Sequence, residues 1–339
     1  MTSDNFKKAI DTRVIEWFDG QIKTATTDEA RLLLKRMSKL IVRGGKRARP
    51  ELLFMTYQAY GGKNIDQLID LGLALEFHHQ FLLIHDDIID NDTVRYDGPN
   101  IVGYYGRERQ NIPQAMGLLA GDILFSFACQ AIIRQKGFTD KIKLALLEML
   151  NDTNVGVQYG QQLDVFNIEP LSFTEEKLVL THSLKSALYS AQLPMQCAAV
   201  LQNLTGNERS KIDYFAKPFG ILFQLVDDYS DYFNNHSAFN NRPKYRDFRQ
   251  GKITYPLYSA LKTATAKDVA YLKQYLGSKD LSDATMGKIV IILKSCGAQE
   301  ASREYLEQYF AQVYDALDKL NINTVAKKQI TALIDKYKV

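Results

Sequence analysis

The chain has 339 residues, 46% of them hydrophobic, enough for a large core and for one large domain or two of ordinary size. Its 42 Lys and Arg stand against 39 Asp and Glu, a net charge of +3 with no basic stripe, so a nucleic-acid binder is not expected. The three cysteines, Cys129, Cys197 and Cys296, are far apart and odd in number, which excludes a disulfide framework or zinc spacing and suits a reducing compartment.

Residues 1–8 are polar and lack the apolar core of a secretory signal, so a cytoplasmic protein is expected. Breakers then recur at Gly61-Gly62, Gly98-Pro99, Pro113, Gly137, Glu169-Pro170, Gly206-Asn207 and the polar stretch 234–251. Between them apolar residues recur at three- and four-residue spacing, as at Leu144, Leu147 and Leu150, and no long stretch alternates with period two. The spacing predicts an all-α protein.

The first feature with chemistry in it is Gly44-Gly45-Lys46-Arg47-Ala48-Arg49-Pro50, three cations in four residues after a glycine pair. Glycines let backbone N–H groups approach an anion, and arginine grips phosphate oxygens with two bonds. The next element, residues 65–90, is apolar nearly all the way round and predicts a helix inside a bundle. Its C-terminal end nevertheless carries Asp86, Asp87 and Asp90. Residues 115–133 form the best membrane candidate, but Gly117, Gly121 and Asp122 interrupt it, and a buried helix is expected instead. Asp227, Asp228 and Asp231 repeat the Asp-Asp-x-x-Asp pattern later in the chain.

Positions four apart on a helix are only about 40° apart around its axis, so Asp86 shares a face with Asp90, and Asp227 with Asp231. Two like charges about 6 Å apart repel by roughly 3 kcal/mol at an effective dielectric near 20. The negative end of the helix dipole adds to this at the first triplet. Cations must neutralise such clusters. Carboxylates without Cys or paired His select Mg²⁺ or Mn²⁺, and magnesium usually bridges carboxylate to phosphate. With Arg95, Lys185, Arg242 and Lys252 near the acidic motifs, the pattern points to two anionic substrates, one held through metal and one held directly by Lys and Arg.

In their order along the chain, GGKRARP, LLIHDDIID, LLAGDILF, GQQLD, LKSALYS, FQLVDDYSD and GKITYP resemble the trans-isoprenyl diphosphate synthase family. The resemblance implies a single domain over residues 1–339, a large bundle of long helices around a deep central cavity, usually a homodimer. It assigns both aspartate triplets to about three Mg²⁺ on an allylic diphosphate, with Mn²⁺ able to substitute. Arg95, Lys185, Arg242 (where the family usually has Lys) and Lys252 match contacts to that diphosphate. Lys46 and Arg49, assisted by His79, match the site for isopentenyl diphosphate, and Gln224 matches a pocket-lining glutamine. Ser186, where Thr is common, would face a developing allylic cation beside Lys185. The implied reaction is head-to-tail condensation through that cation, with no side-chain nucleophile.

Two departures stand out. The usual Arg-Arg-Gly after the first triplet is Arg95-Tyr96-Asp97-Gly98, which removes an arginine that normally helps bind isopentenyl diphosphate; Arg47, Arg107 and Arg109 are nearby cations that would compensate. Tyr245 replaces a usual Gly in a polar loop expected to be mobile until substrate binds. Phe81, five residues before Asp86, matches the floor of the elongation pocket, with Leu82 beside it. This implies geranylgeranyl diphosphate as product, with farnesyl diphosphate or a longer chain as the alternative. A class I terpene cyclase would lack the second triplet and the basic motif, and a non-catalytic subunit of a heteromeric synthase usually loses aspartates, whereas both triplets are intact here.

Overall fold

The three- and four-residue apolar spacing folds as helix over most of the described residues of the computed structural model, 1–106, 111–166, 173–233 and 245–339. Among them the only strands are β1 (Val94–Arg95) and β2 (Gly98–Pro99), a two-stranded antiparallel hairpin. The chain divides into two compact units, one of Met1–Leu150 with Pro194–Leu204, the other of Asn151–Leu193 with Thr205–Val339.

The first unit contains α1 (Ser3–Thr24), α2 (Asp28–Arg43), α3 (Ala48–Ala59), α4 (Asp66–Ile89), α5 (Ile101–Tyr105), α6 (Ile112–Arg134) and the start of α7 (Asp140–Phe166). At its centre is α4, packed mainly on α6. Leu71, Leu73, Ala74, Leu75 and Phe77 are all buried, so the helix is covered on every side as its composition requires. Trp17 and Phe18 of α1, Phe77 of α4 and Phe127 of α6 meet as one aromatic cluster with ring centroids 5.7–6.0 Å apart. Each such pair contributes about 0.5–1.5 kcal/mol beyond its burial.

The α6 helix is the one described helix long and apolar enough to cross a membrane. Its glycines are packing sites: a Cβ on Gly117 would lie 2.8 Å from Ile88 Cδ1, and one on Gly121 would overlap the His85 ring. The expectation of a buried helix holds for that face alone. Leu118 and Leu119, on the other side, are 52% and 51% exposed, because no described element covers them.

The second unit contains the rest of α7, α8 (Glu175–His182), a π-helix (Ser183–Gln192), α10 (Gly206–Phe233), α11 (Arg246–Arg249), α12 (Tyr255–Thr263), α13 (Ala266–Tyr275), α14 (Asp283–Ser295), α15 (Ala298–Asp318) and α16 (Thr324–Asp335), while most of α9 (Leu193–Leu201) belongs to the first. Side-chain caps start several of these helices: Thr174, Thr265, Ser282 and Asn323 each accept a backbone N–H from three residues on. The ten-residue π-helix was not foreshadowed by the apolar spacing. It is pressed between close-packing glycines: a Cβ on Gly160 of α7 would overlap Lys185 N, and one on Gly220 of α10 would meet Ala187.

Candidate active site

In the first unit the acidic triplet sits where α4 stops. Asp92 N–H donates to Asp87 O (2.8 Å) and Asn91 N–H to Ile88 O (3.2 Å), with Asn91 left-handed at φ 57. These are the two hydrogen bonds of a Schellman stop, satisfying carbonyls that the helix end would leave orphaned. Asp86 and Asp90 remain partly accessible on one face. Asp87 is turned inward and 1% exposed. Arg95, on β1, donates from Nε to both Asp87 oxygens (3.0 and 3.1 Å) and from Nη2 to Oδ1 (2.5 Å). Burial pushes the Asp87 carboxyl up and the Arg95 charge opposes this; burial works to lower Arg95, but Asp87 outweighs it and holds the guanidinium above its ordinary value.

Beside this pair lies the basic motif. Lys46 is exposed and Arg49, in the first turn of α3, is buried. Arg47 does not replace the missing arginine. Its guanidinium donates to Asp11 Oδ1 (2.7 Å), Glu76 Oε1 (3.1 Å), Ile41 O (2.7 Å) and Gly44 O (2.7 Å), and the residue is 4% exposed. Its hydrogen-bonding capacity is spent inside the protein. His79 is held well below its ordinary value, first by burial and then by the charges of Arg49, Arg95 and Arg47. Burial and these positive charges together favour the neutral imidazole.

The second unit carries the other triplet on α10. Asp227 is partly accessible, whereas Asp228 is buried between Gln224 Nε2 (2.9 Å from Oδ1) and His182 Nε2 (3.0 Å from Oδ2). Ser186 Oγ donates to Gln224 Oε1 (3.0 Å), so Ser186, Gln224, Asp228 and His182 form one hydrogen-bonded chain. Asp231 accepts the backbone N–H groups of Arg246 (3.1 Å) and Asp247 (3.3 Å). Burial and the nearby Asp247 charge push Asp231 up to about 8, and burial pushes Asp247 up to about 6 against the pull of Lys252. Lys185 and Lys252 both reach Asp164 of α7, at 2.5 and 3.6 Å. Tyr245 stands at φ 60, the left-handed region glycine occupies at less cost.

Sequence reasoning left Asp164, His182 and Asp247 without roles. Asp164 was visible only as the last residue of GQQLD, and nothing in the sequence tied it to lysines 21 and 88 residues away. Phe81 is buried against His85 and Phe125, with centroids 4.7 and 5.3 Å away, and Leu82 is partly accessible. Arg107, Arg109, Arg242 and the stretch 234–244 lie outside the described residues.

Among the described residues no three His, Cys, Asp or Glu side chains form a ready metal cage. Magnesium needs none, since it is commonly held by one or two carboxylates together with substrate phosphate and water. The donors fit in each unit taken by itself: partly accessible carboxylates with no Cys or paired His, Asp86 and Asp90 in the first and Asp227 and Asp231 in the second.

The fold and these carboxylate-bearing helix ends define an all-α protein of the isoprenoid synthase type. The geranylgeranyl pyrophosphate synthase of Corynebacterium glutamicum, solved with isoprenyl diphosphate and magnesium, superposes with a TM-score of 0.91 at 22% identity, covering 99% of each chain. The family model for polyprenyl synthetase matches residues 31–293. The short chain isoprenyl diphosphate synthase of Methanothermobacter thermautotrophicus is 32% identical over 84% of this chain and 84% of that protein, and the geranylgeranyl diphosphate synthase of Sulfolobus acidocaldarius 26% identical over 88% of each. The chain belongs to the polyprenyl synthetase family, the trans-isoprenyl diphosphate synthases.

Proposed function

We propose that the chain condenses isopentenyl diphosphate head to tail with an allylic prenyl diphosphate, giving geranylgeranyl diphosphate, with farnesyl diphosphate or a longer chain as the alternative product. The observation that carries this reading is the division of labour within each triplet. One carboxylate is buried and locked, Asp87 by Arg95 and Asp228 by Gln224 and His182, while Asp86, Asp90 and Asp227 stay accessible for a cation. The sequence as a whole, residues 1–339, acts in this reading as one synthase domain.

Asp86, Asp87 and Asp90 with Asp227, Asp228 and Asp231 would hold the metal, Asp87 and Asp228 chiefly by orienting their neighbours. Bound Mg²⁺, about three ions with Mn²⁺ able to substitute, would supply the charge that stabilises a departing diphosphate. Lys185 and Lys252, set by Asp164, add positive charge for the same oxygens, joined by Arg95 and Arg242. Lys46 and Arg49 bind the diphosphate of isopentenyl diphosphate, and neutral His79 can assist by hydrogen bonding without adding charge. Ser186 and Gln224 turn oxygen atoms toward the allylic cation, whose capture by the second substrate's double bond forms the new C–C bond. Proton loss to the departed diphosphate completes the product.

Leu118 and Leu119 on α6, with Leu144 on α7, support a homodimer as the working form. The three cysteines, separated along the chain and unpaired, support a cytoplasmic setting. The decisive experiment supplies isopentenyl diphosphate with dimethylallyl, geranyl or farnesyl diphosphate and Mg²⁺, and measures product length by chromatography. A twenty-carbon linear diphosphate is expected. A cyclic hydrocarbon or alcohol from a prenyl diphosphate alone would replace this reading with a cyclase.

A further inference from the structure

Relative to Arg-Arg-Gly, the segment Arg95-Tyr96-Asp97-Gly98 has one residue more, and the structure shows what that residue does. With Val94 paired to Pro99 and Arg95 to Gly98, Tyr96 and Asp97 form a two-residue hairpin loop, at φ 54 and 58. Such a loop matches the twist of its strands but favours Asn and Gly. A tyrosine there costs about 1–2 kcal/mol, and residues held in that region persist only where their surroundings over-determine them.

The surroundings are the glycine pair of the basic motif. Gly44 lies directly under the Tyr96 ring: a Cβ there would stand 2.7 Å from both Cβ and Cδ1 of the tyrosine. The phenol oxygen reaches Gly45, 3.5 Å from where its Cβ would be, and Gly45 itself is at φ +108. Arg43, the last residue of α2, fastens the hairpin by donating from Nη2 to Arg95 O (2.6 Å) and Pro99 O (2.9 Å). Arg47 grips the other end of the loop through Gly44 O, Ile41 O, Asp11 and Glu76. The loop is therefore held on two sides, by Arg47 from within the protein and by the Tyr96 ring from the hairpin.

We infer that Tyr96 is a positioning residue that braces residues 44–49, so that Lys46 and Arg49 are set in advance for the diphosphate of the non-allylic substrate. A neutral phenol cannot return the charge of an arginine. A fixed loop can recover affinity by lowering the cost of ordering two cationic side chains on binding. This rests on the function proposed above for Lys46 and Arg49.

The test compares Tyr96→Ala and Tyr96→Phe with the unaltered protein, in steady-state kinetics and in hydrogen exchange of the substrate-free protein. Tyr96→Ala is expected to raise KM for isopentenyl diphosphate about tenfold while kcat and KM for the allylic substrate change by less than about twofold. Amides of residues 44–49 should exchange faster in Tyr96→Ala. Tyr96→Phe, which keeps the ring, should restore both. The brace is overturned if those amides keep their protection in Tyr96→Ala, or if Tyr96→Phe loses as much as Tyr96→Ala, which would make the hydroxyl itself the ligand. Should the unaltered protein fail to consume isopentenyl diphosphate, the proposed function falls, and the exchange measurement still decides the brace.

Discussion

Arg95 holds Asp87 with a three-bond grip, Nε to both carboxylate oxygens and Nη2 to Oδ1 at 2.5 Å, in a site almost closed to water. The pair joins the last turn of α4 to the hairpin, so it fixes both the acidic triplet and the brace over the basic loop. Removing one member leaves the other charge buried and uncompensated, a loss of about 3–5 kcal/mol. Arg95→Ala should therefore lower the free energy of urea unfolding by about that amount, and the double variant Arg95→Met/Asp87→Leu should recover most of it. A loss under about 1 kcal/mol in Arg95→Ala would mean that the pair behaves like a surface ion pair.

The second triplet predicts a pH dependence. Free aspartate titrates near about 4, whereas Asp231 in the metal-free protein is pushed up to about 8 by burial and by Asp247. The folded state therefore binds the extra proton between those values, and its contribution to stability is present at low pH and lost as pH rises from about 4 towards about 8. A divalent cation competes with that proton, so it stabilises more as pH rises. The melting temperature with Mg²⁺ minus that with EDTA should grow from pH 5 to pH 8 and level off above. Asp247, pushed up to about 6, adds to the acidic half of this window. A difference that stays constant across the window would show that the cation does not replace a proton at these carboxylates.

Asp164 sets two lysines at once, and its loss should be felt by one substrate only. With Asp164→Ala, Lys185 and Lys252 lose their shared anchor, and kcat/KM for the allylic diphosphate should fall about 10- to 100-fold. KM for isopentenyl diphosphate, which the proposed function assigns to Lys46 and Arg49, should change little. Equal losses for both substrates would indicate a general structural role.

The α4 helix was legible because burial imposes a plain signature: an all-round apolar run predicts residues 65–90, and the helix spans Asp66–Ile89 with Asp90 as its cap. The aspartates were legible as a pattern, but not the difference among them. Four-residue spacing sets a shared face and is blind to a partner from another element, so Arg95 on Asp87 and His182 on Asp228 could not be read from it. The π-helix was hidden for a similar reason: its packing on Gly160 and Gly220 involves partners distant in sequence, which local apolar spacing does not report. At Tyr96 the sequence showed a lost arginine and an added residue. Only the pairing of Val94 with Pro99 turns those into a two-residue loop with its ring on Gly44.

Phe81 offers the test of product length. Its ring is 6% exposed and packs against Phe125 of α6 and against His85, with His78 stacked 6.0 Å away. Replacing it with alanine removes a ring's worth of volume from a packed layer, which costs about 3–5 kcal/mol if the space stays empty. A growing prenyl tail is apolar and flexible, and would fill such a space favourably at about 25 cal/mol per Å² of surface taken from water. Phe81→Ala should thus shift the product mixture to longer chains, and a long-chain product should restore part of the lost thermal stability. Leu82→Ala, at a partly accessible neighbour, should shift it less. If Phe81→Ala loses stability while its product lengths stay those of the unaltered protein, the ring is core packing alone and the chain-length stop lies on another element.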